Sequence, residues 1–266
     1  MEVNEMIRDA ANKSNKLLGI LNNDYKRSKP KGYAISYENP SDKEKLEIAK
    51  YILVDLLEEY VNHLKYSMMA EKENKITISF SLLRKPIRDI ISIVERIAIG
   101  PVSFAGSLLE SDFTKYDLND KNLRLDNIRK LKNKVQENHH IFTFVDEEFI
   151  DKFLDARYGN SANSLSTVLN QSLHLTTRDK NYKTIKKTLN MMPSNVKELD
   201  SLNDLLFVLY VYTYLYLLKL VEYIISKFFD ENEYNRAYLK QELENIYFDL
   251  VKALLTLESN QTKNNY

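Results

Sequence analysis

The sequence has no Cys, no Trp, and only five Gly and five Pro in 266 residues. Without Cys there is no disulfide, no thiol nucleophile, no iron–sulfur cluster and no cysteine zinc module. So few Gly leave little room for phosphate-cradling loops, and neither the P-loop spacing nor G-x-G-x-x-G occurs. An excess of one charge is missing too. The 38 Lys+Arg balance 38 Asp+Glu, which removes the basic surplus that marks many nucleic-acid and membrane-surface proteins. What is present is a hydrophobic share of 44%, enough to fill a core.

Few Gly and Pro mean few turns and long elements. Residues 2–22 read as a first helix, with Ile7, Ala10, Ala11, Leu17, Leu18 and Leu21 on one side. The stretch 22–42 carries Pro30, Gly32 and Pro40 in a polar context and reads as a loop. Ser41 and Asp42 resemble an N-cap for a long helix from Lys43 to about Glu71. Residues 75–82 (KITISFSL) alternate at period two, a strand signal, whereas Leu83, Ile87, Ile90, Val94 and Ile97 follow at helical period. A lone strand without a partner leaves its backbone polar groups unsatisfied, so one helix kinked at Pro86 is expected.

Gly100-Pro101 ends that helix, and a short piece follows at 102–110. Helices are expected at about 118–138, 146–157 and 164–177, then a basic loop at 179–197. A long hairpin of two helices, about 198–229 and 231–257, closes the fold, with 258–266 as a disordered tail. Leu205–Leu218 is free of charge but shorter than the ~20 residues a bilayer span needs. It reads as a central core helix, and no membrane partner is expected. The expected fold is a single all-α bundle of about eight helices over 1–257. The first residues show no apolar signal-peptide core, and 28 Lys against ten Arg, with many Asn and Ile, suggest an AT-rich bacterial genome. A cytoplasmic protein is expected.

Two helical faces offer chemistry. On 80–98, a 100° wheel puts Arg84, Arg88 and Glu95 along one flank of the apolar stripe, with Lys85, Ser92 and Arg96 facing away. Arg84 and Arg88 are like charges four apart, so a carboxylate from another helix or an anionic ligand is expected beside them. On 164–177, Asn170, His174 and Arg178 form a polar ladder opposite the apolar side. His174 suits general acid–base work, and Arg178, one turn on, suits bidentate hold of a phosphate or carboxylate. The plain alternative is a solvated helix face. Arg157 and Tyr158 precede this helix, and Arg157 joins Arg84, Arg88 and Asn170 as a candidate anion-binding residue. The ENHH stretch at 137–140 is a poor metal motif, because adjacent helical His point about 100° apart; no metal and no cofactor are expected. His63 reads as a satisfied, partly buried histidine. The tyrosines at 210, 212, 214 and 216 spread round their helix and read as core.

The segments SFSLLRKPIRDIISIVERI (79–97) and LNQSLHLTTR (169–178) resemble a loose group of bacterial helical proteins that is distantly similar to the HEPN superfamily. That resemblance implies a helical bundle, homodimerisation, and roles in RNA cleavage, toxin–antitoxin pairs or phage defence. The superfamily's ribonucleases carry an Arg four to six residues before a His on one helix, and no His of this chain has one. Two functions are therefore expected. One is a HEPN-like stress or defence protein acting on RNA or a nucleotide through a cationic pocket of Arg84, Arg88, His174 and Arg178. The other is a non-catalytic helical module that dimerises or binds a partner protein.

Overall fold

The computed structural model describes residues 3–28, 39–112, 196–228 and 233–264, with the single positions 126, 127, 129–131, 133, 153, 156, 157, 165 and 169. The described residues are 93% helical and contain no strand, so the fold is all-α. Among them run seven α-helices: α1 (Val3–Ser28), α2 (Asp42–Lys72), α3 (Ile76–Lys85), α4 (Ile91–Ile99), α5 (Pro101–Leu109), α6 (Val196–Phe228) and α7 (Glu233–Asn264). A π-helical segment, Pro86–Ile90, joins α3 to α4. The helices expected at 118–138, 146–157 and 164–177 lie largely outside the described residues. Those of their positions that are described are all helical.

Helix ends follow from local chemistry. Ser41 caps α2 as expected: its hydroxyl accepts the Glu44 N–H at 3.3 Å, and the Glu44 carboxylate accepts the Ser41 N–H at 2.7 Å. At the other end Asn74 takes the left-handed conformation, φ 58°, which Asn tolerates better than most side chains. That lets Asn74 N–H reach the Glu71 carbonyl at 2.7 Å and Lys75 N–H reach Ala70 at 2.8 Å, satisfying two orphan carbonyls. Gly100-Pro101 stops α4, and the chain turns by 117° into α5.

Two expectations are corrected. Helix α1 continues to Ser28, six residues past the boundary at 22, because no Gly or Pro lies between 22 and Pro30, and the residue before a proline disfavours helix. Helix α7 runs through Asn264, across residues expected to be a disordered tail; nothing from 258 to 264 is Gly or Pro, so propagation is not interrupted. The strand-like stretch 75–82 is helical from Ile76 on, as the missing strand partner required. Ile76, Ser79, Phe80 and Leu83 are buried at helical spacing, leaving Ile78 half exposed.

Helix α6 is the centre. From Leu209 to Ile225 every residue except Tyr212 is buried. Among the described helices only Val196–Phe228 is long and apolar enough by itself to cross a membrane, and 72% of its apolar window is covered by the rest of the protein. It packs on α1, α2, α3, α4 and α7, and one hydrophobic cluster draws on every described helix. Helices α1 and α7 lie side by side and antiparallel, since Lys13 pairs with Asp249 and Lys16 with Glu242, each at 2.5 Å.

Gly19 sits exposed in α1, and a Cβ there meets nothing within 4 Å. Gly19→Ala should therefore stabilise the protein by about 0.5–1 kcal/mol through helix propensity alone, read as a higher urea midpoint at unchanged slope.

Candidate functional site

The densest polar constellation surrounds the π-helical segment. Its origin is Pro86, which has no N–H to give the Leu82 carbonyl one turn earlier. His63 of α2 supplies the missing donor. Its Nδ1 lies 2.9 Å from the Leu82 oxygen, and because a carbonyl only accepts, Nδ1 carries the proton. The other ring nitrogen faces Glu59 at 3.4 Å, and Glu59 also receives Lys85 at 2.5 Å. The Lys85 hydrogen bond holds the Glu59 carboxyl below its ordinary value. His63 is thus the satisfied, half-buried histidine the sequence suggested. Further along the same antiparallel contact, the Ser67 and Ser79 hydroxyls each donate to the other's backbone carbonyl at 2.8 Å.

On the far side of the segment lies a buried ion pair. Arg157 Nη1 donates to Glu95, with the two side chains only 5% and 2% exposed. Tyr216 of α6 donates to the same carboxylate oxygen at 2.9 Å. Arg157 Nη2 donates to Ser92 Oγ and, at 3.3 Å, to the Arg88 carbonyl, which also accepts the Ser92 hydroxyl. Phe153, one turn before Arg157, lays its ring against Tyr216 with centroids 4.4 Å apart. Arg157 therefore ties three things together: α4, the π segment, and, through Glu95, the core helix.

This corrects the sequence-based site. Arg157 was expected to bind an external anion; the anion it holds is the chain's own Glu95, closed off from solvent. Ser92 was expected to face away and Glu95 to line a flank, yet both are buried. The 100° wheel fails because the π segment holds more residues per turn, so every position past Ile90 is out of phase with those before Pro86. Arg84 is half-buried and engaged within the fold. Arg88 is partly open, its side chain 37% exposed, with Nε 4.0 Å from the Asp89 carboxylate. Asn170, His174 and Arg178 lie outside the described residues, as do Tyr158, the ENHH stretch and the basic run 178–187. The structure thus joins Arg157 to the backbone of Arg88, through a carbonyl and not through a shared anion.

Closed off from solvent, the Glu95–Arg157 pair holds α4 and α6 to Arg157. Among the described residues no three His, Cys, Asp or Glu converge to hold a metal. A cavity of about 20 Å³ between α1, α2 and α6, lined by Ser14, Leu57, Val61 and Tyr214, has room for about one water. Sequence reasoning missed the Glu95–Arg157 pair, although one signal was there: Glu95 is the only acid in the largely apolar α4.

Two tests follow from this geometry. Arg157→Ala should cost about 3–5 kcal/mol, because it strands a buried carboxylate, while the double variant Arg157→Met/Glu95→Leu should recover most of that loss in a denaturant titration. His63→Ala should cost about 1–3 kcal/mol by orphaning the Leu82 carbonyl, and the cost should shrink in a Pro86→Ala background, where residue 86 regains an N–H. No protein-family model, no curated protein and no solved structure matches this chain.

Proposed function

We propose that this chain is a non-catalytic helical interaction module of the cytoplasm, acting by presenting an outer helix face to a protein partner. The observation that carries the reading is the outward stripe of α7. Gln241, Asn245, Phe248, Lys252, Leu255 and Ser259 recur there at helical spacing, and all are exposed. Phe248 is 65% and Leu255 49% exposed, one heptad apart. Single exposed apolar residues are ordinary, but an aromatic and an aliphatic anchor on one stripe match the way an amphipathic helix engages a partner. The buried polar groups described above support the same reading, since they are spent on holding helices together. The burial of most of α6 inside the fold favours a core helix over a membrane span.

A second reading, a HEPN-like RNA- or nucleotide-acting protein of bacterial stress or defence, is favoured by one observation: the half-exposed Arg88 guanidinium, carried on a π segment, a feature frequent at functional sites. Its reactive residues would be His174 and Arg178.

Chemical cross-linking and light scattering of the full chain should show complexes that disappear in Phe248→Asp/Leu255→Asp while the melting temperature holds. A chain that forms no complex, but cleaves or tightly binds single-stranded RNA in a manner abolished by His174→Ala/Arg178→Ala, reverses the choice between the two readings.

A further inference from the structure

The inner charges of α7 are matched to α1: Asp249 takes Lys13 and Glu242 takes Lys16. Beside the exposed stripe, Glu244 is half-buried and Lys252 exposed, and neither has an ion-pair partner among the described residues. They stand four residues to either side of Phe248. That symmetry has a geometric consequence. When two copies of one helix meet antiparallel across a two-fold axis, the residue n positions after the axis faces the residue n positions before it.

We propose that the partner of the α7 face is a second copy of this chain, docked antiparallel with the two-fold axis at Phe248. The inference rests on the interaction-module reading and names its partner. In this arrangement Phe248 packs on the partner's Phe248, and Leu255 covers the aliphatic part of the partner's Gln241. Lys252 meets the partner's Glu244, and the reciprocal pair forms by symmetry. The opposite alignment, parallel and in register, places Lys252 on Lys252 and Glu244 on Glu244. Charge therefore selects the antiparallel copy. Exposed ion pairs contribute little affinity, so the aromatic contact drives association and the charges set its register. A contact confined to one helix face falls short of the roughly 1,600 Å² of a standard interface, which places the dissociation constant in the roughly micromolar range.

Sedimentation of the full chain over a micromolar concentration series should show a monomer–dimer equilibrium. Lys252→Glu should weaken it by about tenfold or more, and Glu244→Lys alone should do the same. Glu244→Lys/Lys252→Glu together should restore it, since each reversed charge again faces its opposite. The absence of native Cys gives an independent readout. Glu244→Cys/Lys252→Cys should form disulfide-linked dimers under mild oxidation while either single variant does not. The two positions are about 12 Å apart along one helix, too far to close within a chain. A dimer untouched by all three charge variants overturns this arrangement and leaves the module reading standing. A chain monomeric throughout overturns the second copy as partner, and if the cross-linking of the preceding section also fails, the module reading falls with it.

Discussion

A helix that is apolar nearly all round has no strong preference for which side faces which neighbour. In α6 that freedom is removed by hydroxyl groups. Tyr210 hydrogen-bonds Ser67 of α2 at 2.8 Å, Tyr214 meets Ser14 of α1, and Tyr216 donates to Glu95 of α4. Thr213 adds Tyr60 of α2 at 3.0 Å. Burial pushes the Tyr60, Tyr210 and Tyr214 phenols well above their usual range, so they stay protonated. Turning α6 by one residue would leave each of these groups buried and unsatisfied, at about 1–3 kcal/mol apiece. Hydrophobic burial makes the helices gather, and these bonds decide their rotation and register.

The second constraint is a backbone defect managed from outside. Pro86 cannot complete its helical turn, and the chain responds with a π segment whose neighbouring carbonyls are taken up by side chains: His63 on one side, Ser92 and Arg157 on the other. A buried ion pair adds little net stability over apolar residues of the same shape, but it penalises misplacement strongly, because a displaced partner leaves a bare charge in the core. Phe153 and Arg157 are therefore held in one place against α4 and α6. The inside of the bundle is specified by polar groups of this kind, while the outward stripe of α7 carries apolar anchors with nothing described upon them.

Much of the all-α fold was legible because its signals are local. The N-cap at Ser41, the stop at Gly100-Pro101, the helical run through Pro86 and the core placement of Tyr210, Tyr214 and Tyr216 each depend on residues within one or two turns. The candidate site was much less so. Glu95 and Arg157 are 62 positions apart, and no spacing rule connects them. The burial of Ser92 and Glu95 was misjudged because a regular wheel contains no π segment. His63 was recognised as satisfied, but that its acceptor is the carbonyl stranded by Pro86 follows only from the packing of α2 on α3.

By itself, then, the sequence determined that this is a helical protein with one pervasive apolar helix, because periodicity and the scarcity of Gly and Pro act over a few residues at a time. Tertiary structure alone decided which charges are internal, which carbonyls need foreign donors and which helix face remains outward. Those outcomes depend on where helices far apart in the chain come to lie against one another, and burial and electrostatics act through space, whatever the distance along the chain.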